Sequence, residues 1–162
     1  MPEVESFKDL PSEHQLRKKI IDKLPDEYKE SFNKEWPVEV RPINPVDLMS
    51  PEPKEPQNYI WFKARSSLPD IVSLHQCVLA YMSDMTLLDT CTNPHGVNFM
   101  NPNLHSASLD HAMWFHRPFK ADEWLLYHQD SPSASGARGF NRGSIFDLNG
   151  NLIASVAQEG LI

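Results

Sequence analysis

The chain has 162 residues, 40% of them hydrophobic, and a formal net charge of −7, enough for one domain with a modest core and too apolar for a disordered chain. The acidic balance and the lack of any Lys/Arg run argue against a nucleic-acid groove or an anionic membrane surface as partner. No apolar run approaches the roughly 20 residues of a membrane helix, the N-terminus has no apolar signal core, and Cys77 and Cys91 are too few for a disulfide scaffold or a zinc site, which suits a reducing compartment.

Residues 1–57 hold nine of the fourteen prolines and read as a charged, Pro-rich arm or linker. Within it Ser12 caps a short amphipathic helix, with Gln15 at the third position and Leu16, Ile20 and Leu24 on one stripe. Pro25 stops that helix, and a second helical piece runs from Asp26 to Asn33. Val38-Glu-Val-Arg41, flanked by Pro37 and Pro42, fits only the edge of a sheet, because proline cannot donate to a ladder. Ser50 to Pro56 reads as an extended connector.

From residue 58 the pattern changes to that of a packed domain. Tyr59 to Arg65 is aromatic and β-branched, as in a strand. Ile71 to Leu88 is apolar nearly all round, which predicts a buried helix, with Asp70 placed to cap it. After a loop from Asn93 to Asn103, four strands are expected: Ser106–His116, Glu123–Asp130, Arg138–Asp147 and Leu152–Glu159. Leu148-Asn-Gly-Asn151 is a hairpin turn between the last two. One long helix followed by an antiparallel meander is the element order of an α+β domain in which a curved sheet wraps the helix.

The segment Ser106 to Tyr127 is the richest in aromatic and ionisable side chains. On a regular strand Ser108, Asp110, Ala112, Trp114 and His116 share one face, and Leu109, His111, Met113, Phe115 and Arg117 the other. Both faces mix apolar with polar groups, so the strand is expected between the core and a second layer, helix or partner. Asp84 is the lone acid in the apolar helix. Near a helix C-terminus, burial and the dipole would both favour its taking up a proton, as a general base for water requires. The alternative is a helix that frays at Ser83, with Asp84 capping a turn. Gln158 shares parity with Leu152, Ala154 and Val156, on an apolar face where an unpaired amide is costly. A hydroxyl such as Ser108 beside it, together with a carboxylate, could hold one water by its protons and lone pairs. Backbone groups could instead satisfy the amide. A metal bound by His105, His111 and His116 is disfavoured, because His111 and His116 have opposite parity. A Ser-His-Asp triad through Asp110-His111 is disfavoured too: strand neighbours point apart and no Gly-x-Ser-x-Gly elbow is present.

Five runs carry a resemblance: Leu79-Ala-Tyr-Met-Ser-Asp84, Ser108-Leu-Asp-His-Ala-Met-Trp-Phe-His-Arg-Pro-Phe119, Glu123-Trp-Leu-Leu-Tyr127, Ser135-Gly-Ala-Arg-Gly139 and Val156-Ala-Gln-Glu-Gly160. Residues 58–162, and more loosely Trp36 to Pro45, resemble the second hot-dog domain of the type II acyl-CoA thioesterases, the family of bacterial thioesterase II and the eukaryotic peroxisomal enzymes. The resemblance implies a hot-dog fold and hydrolysis of fatty acyl-CoA to free acid and CoA by direct water attack, without metal, cofactor or covalent intermediate. It places the catalytic Asp at Asp84, the hydroxyl at Ser108 and the amide at Gln158. Family members carry two hot-dog domains in tandem and this chain corresponds to the arm and the second, so a homodimer or pairing with another hot-dog domain is expected. A peroxisomal setting is implied by the resemblance alone, since the chain ends in Leu161-Ile162 rather than a Ser-Lys-Leu-like tripeptide, and the cytoplasm is the other expectation. The rival reading is a non-catalytic hot-dog module that binds acyl-CoA or a partner domain. A dehydratase on the same fold would want a helix histidine with a matching acid, and His75 sits near the wrong end without one.

Overall fold

The computed structural model describes residues 1–162. Its elements are α1 (Glu13–Ile20), α2 (Asp26–Asn33), β1 (Val38–Pro42), β2 (Gln57–Ala64), α3 (Val72–Asp84), a 3-10 helix (Leu88–His95), β3 (Ala107–Ser108), β4 (Ala112–Phe115), β5 (Leu125–Ser135), β6 (Arg138–Phe146) and β7 (Leu152–Leu161). The strands form one antiparallel sheet in the order β1-β2-β5-β6-β7-β3, with β4 also pairing with β7. α3 lies against one face, and Leu79, Met82 and Leu87 pack there with Ile60, Phe62, Leu125, Tyr127, Ile145 and Val156. This is the α+β hot-dog arrangement. No helix is long and apolar enough to cross a membrane.

The first 57 residues are not only an arm: they supply the edge strand β1, and the segment before α1 packs against the sheet. Ser12 and Gln15 form a reciprocal capping box at the start of α1, as their spacing predicts. β1 is an edge strand, and its Val38 and Val40 belong to the main core. On the opposite sheet face Leu10, Trp61 and Leu126 form a second cluster, where Phe7 stacks on Trp124 with ring centroids 4.6 Å apart. The Trp61 indole donates to Glu5 O at 2.9 Å, which ties the N-terminal segment down.

Four expectations for the helix and the strand that follows need correction. α3 ends at Asp84, four residues early: Met85 N bonds Met82 O and the Ser83 hydroxyl bonds Ala80 O, which tightens the last turn before a separate 3-10 helix begins at Leu88. The cap position is Ile71, and Asp70 instead faces Lys120 at 3.7 Å. The helix is also not buried all round, because the sheet covers one side of it: Ile71, Val72 and Tyr81 are 53%, 63% and 57% exposed. The strand expected from Ser106 to His116 is broken between β3 and β4. Ser108 pairs with Gly160, whereas Ala112 pairs with Ala157, so one extra residue is accommodated on the β3–β4 side. Glu159 O receives both Leu109 N (2.9 Å) and Asp110 N (3.4 Å), while Asp110 Oδ1 accepts Glu159 N at 2.8 Å. These are the marks of a β-bulge.

The 3-10 helix sits over the ends of β6 and β7, and Gly160 makes room for it: a Cβ there would lie 2.3 Å from Leu88 Cδ1. That close approach holds the chain just after Asp84 against the strand that carries Gln158.

Candidate active site

Three elements converge on one polar group. Asp84 is the last residue of α3, Ser108 the last of β3, and Gln158 lies on β7 two residues before Gly160, the partner of Ser108. Ala154, Val156, Gln158 and Gly160 are all buried, so Gln158 stands on the apolar, helix-facing side of β7 as its parity predicts. Its amide is fully buried and paired by side chains: Nε2 donates to Ser108 Oγ at 2.6 Å, and Oε1 faces His111 Nδ1 at 2.6 Å. The Ser108 hydroxyl donates to Asp84 Oδ1 at 3.4 Å. The three residues selected from the sequence therefore form one hydrogen-bonded row.

Asp84 differs from its expected setting. It does end the helix, but its side chain is 52% exposed, because α3 stops there and its carboxylate opens outward. The helix end is held from below: the fully buried Tyr127 donates from its hydroxyl to Ser83 O at 3.1 Å and so satisfies a C-terminal carbonyl that has no helical partner. Burial holds the Tyr127 hydroxyl well above its ordinary pKa, with the nearby Asp84 charge adding to the effect, so it remains a donor at neutral pH.

His111 is the residue that parity misplaced. On a regular strand it would face away from Ser108, yet the bulge at Leu109–Asp110 turns it to the same side. There Nδ1 meets Gln158 and lies 3.7 Å from Asp84 Oδ1, and Nε2 is 2.8 Å from Ser83 Oγ. The available signal was Asp110, a residue disfavoured in strand interiors because its carboxylate competes for backbone N–H groups. It takes Glu159 N, so it does not serve as the acid of a triad with His111. His116 turns elsewhere, to Ser155 Oγ at 2.9 Å.

A cavity lies apart from this group. About 430 Å³ lies in an open cleft among α1, β1, β2, the 44–48 segment and Phe99, with apolar walls including Leu16, Ile20, Val40 and Ile60, and with Thr86 and Asp89 also lining it. Neither Ser108 nor Gln158 lines it.

The curled sheet, the single long helix and the acid–hydroxyl–amide row at the helix end define a hot-dog domain with a side-chain site suited to holding water. The chain belongs to the acyl-CoA thioesterase family, whose sequence pattern matches residues 27–161. It is 37% identical to "Acyl-CoA thioesterase 2" of Haemophilus influenzae, over 100% of this chain and 57% of that protein. To human "Acyl-coenzyme A thioesterase 8" it is 41% identical over 79% of this chain and 40% of that one. The crystal structure of acyl-CoA thioesterase II TesB2 from Mycobacterium marinum superposes with a TM-score of 0.73 at 42% identity, covering 99% of this chain and 54% of that chain. The chain thus spans about half the length of the relatives it matches.

Proposed function

We propose that this chain hydrolyses fatty acyl-CoA thioesters to free fatty acid and CoA, with residues 58–162 carrying the chemistry and residues 1–57 adding an arm and the edge strand β1. The observation that carries the reading is the row Asp84–Ser108–Gln158, three groups far apart in sequence that meet by hydrogen bonds of 3.4 and 2.6 Å. A water in contact with the row can donate one proton to Asp84, an acceptor-only group when ionised, and be oriented by the Ser108 hydroxyl. As the water oxygen attacks the thioester carbonyl, Asp84 takes its proton. Collapse of the tetrahedral intermediate breaks the C–S bond, and the proton passes to the departing CoA thiolate. Asp84 is half-exposed, so substrate can reach it.

A second hot-dog domain belongs to the same proposal. β1 is one edge of the sheet and lies beside α1, whereas β3 and β4 form the other edge, where Leu109, Trp114 and Phe115 are exposed. Unpaired backbone beside exposed apolar side chains is where a further sheet adds. The exposed side of α3, with Ile71, Val72 and Tyr81, supports the same pairing. Either a second copy of this chain or a separate first hot-dog domain meets this need. A peroxisomal setting is part of the proposal through the family resemblance.

The test is thiol release from acyl-CoAs of several chain lengths, with the chain alone and with a first hot-dog domain supplied. Asp84→Asn is expected to cost on the order of 10² to 10⁴ in kcat with an unchanged melting curve, the range for loss of a positioned base. More than about a tenth of the activity surviving in Asp84→Asn would remove it from that role. Tight acyl-CoA binding without turnover would favour the non-catalytic module.

A further inference from the structure

We infer that His111 is a positioning residue that sets the direction of the whole hydrogen-bond row by donating from Nδ1 to Gln158. The inference rests on the reading of Asp84, Ser108 and Gln158 as the water-holding group, and it follows from counting protons along the chain of contacts.

Ionised Asp84 only accepts, so the single Ser108 proton goes to Asp84 Oδ1. Ser108 Oγ can then only accept from Gln158, 2.6 Å away, which requires Gln158 to present its Nε2 amino group. That leaves Oε1, which has no proton, facing His111 Nδ1 at 2.6 Å. Nδ1 must therefore carry the hydrogen, whether the ring is neutral or charged. The hydrogens run from His111 to Gln158 to Ser108 to Asp84, a single direction in which all three contacts are satisfied at once.

The row could run backwards without His111. A Gln amide is nearly symmetric in shape, and a half-turn about its last bond exchanges oxygen for nitrogen. With Oε1 turned to Ser108, the serine proton would bond Gln158 and leave Asp84, and the water would lose its oriented hydroxyl. His111 prevents this turn because its Nδ1–H would meet an N–H₂ group. The ring is itself gripped from the far side, with Nε2 2.8 Å from Ser83 Oγ, on the residue before Asp84; a charged ring donates there while the Ser83 hydroxyl keeps its bond to Ala80 O, and a neutral ring accepts the Ser83 proton in place of Ala80 O. One imidazole thus spans the helix end and β7. The bulge held by Asp110 brings it to this face.

Two measurements test this on the full chain. In the thiol-release assay His111→Ala is expected to lower kcat by about tenfold to a hundredfold, the scale of a misoriented catalytic group, with KM changed less than about twofold. His111→Asn, whose side-chain amide can donate from near the Nδ1 position, is expected to recover most of that loss. The second readout needs no activity: nitrogen NMR of the histidine rings should show the hydrogen of His111 on Nδ1 in the wild type, and a move to Nε2 in Gln158→Leu. Wild-type kcat in His111→Ala, equal losses in the Ala and Asn variants, or a neutral His111 with its hydrogen on Nε2 would each overturn the inference. A wild type that shows the Nδ1 hydrogen but hydrolyses no acyl-CoA would sink the functional reading and leave the hydrogen-bond direction standing.

Discussion

Gly143→Ala probes how the helix end is held under Asp84. A Cβ at Gly143 would lie 2.2 Å from Tyr127 Cε2 and 2.8 Å from its hydroxyl oxygen, whereas carbon atoms in contact settle at about 3.5–4.0 Å. The ring must therefore shift by roughly 1.5 Å or the strand must yield. Neither is easy: Tyr127 is fully buried and edge-on to Phe62 at 5.4 Å, and β6 is held between β5 and β7. Overpacking of this kind costs about 1–3 kcal/mol. A displaced ring also breaks the 3.1 Å bond from its hydroxyl to Ser83 O, leaving two buried polar groups unpaired for about 1–2 kcal/mol more. The expected loss is thus about 3 kcal/mol, or roughly 6–12 °C in Tm for a domain of this size. It should be accompanied by a fall in kcat, because Ser83 precedes Asp84. Urea unfolding of Gly143→Ala, Tyr127→Leu and the double variant gives the decisive comparison. With the ring absent, adding the methyl group should cost less than about 1 kcal/mol. Equal costs of Gly143→Ala in both backgrounds, or a loss below about 1 kcal/mol in the wild type, would refute the account of a ring wedged under the helix.

Two other predictions concern the cavity and the sheet edge. Asp89 borders the cavity and is accessible from it, yet chain packs closely around it; burial first, and then the charge of Glu13, push its carboxyl up to about 6. The folded state therefore binds this proton more tightly than the unfolded chain, so the stabilisation present below about pH 4 is lost as pH rises to about 6. Asp89→Asn should raise stability by roughly 1 kcal/mol at about pH 7.5, a figure discounted for the water that reaches the group, and change little at about pH 4. Equal effects at the two pH values in urea melts would show that its charge is not under strain. Trp114→Asp, on the exposed β4 edge, should weaken association at least about tenfold, since a charge then takes the place of a large apolar side chain at the proposed contact. Light scattering across a concentration series measures this, and unchanged assembly would move the contact elsewhere.

Local pattern alone determined most of the fold and marked Asp84 and Gln158 as anomalies, whereas Ser108 was singled out by the family resemblance. Continuous apolarity marked α3, period-two alternation put Gln158 on the inner face of β7, and prolines at its ends confined Val38–Arg41 to an edge. The same logic singled out Asp84, since an acid in an apolar helix and an amide on an apolar strand face are both anomalies that sequence exposes. What it missed depended on contacts between distant segments. The register of β3 and β4 is set by what Glu159 offers from β7, and one extra residue between Ser108 and Ala112 reversed the facing of His111. Strand parity carries no information about such a slip, because it assumes the regular pairing that the bulge breaks. How far the sheet reaches around α3 was likewise invisible, so the exposed side of the helix and the open position of Asp84 emerged only in the assembled domain. An apolar surface looks the same in sequence whether its own sheet covers it or it is left for a second domain to cover.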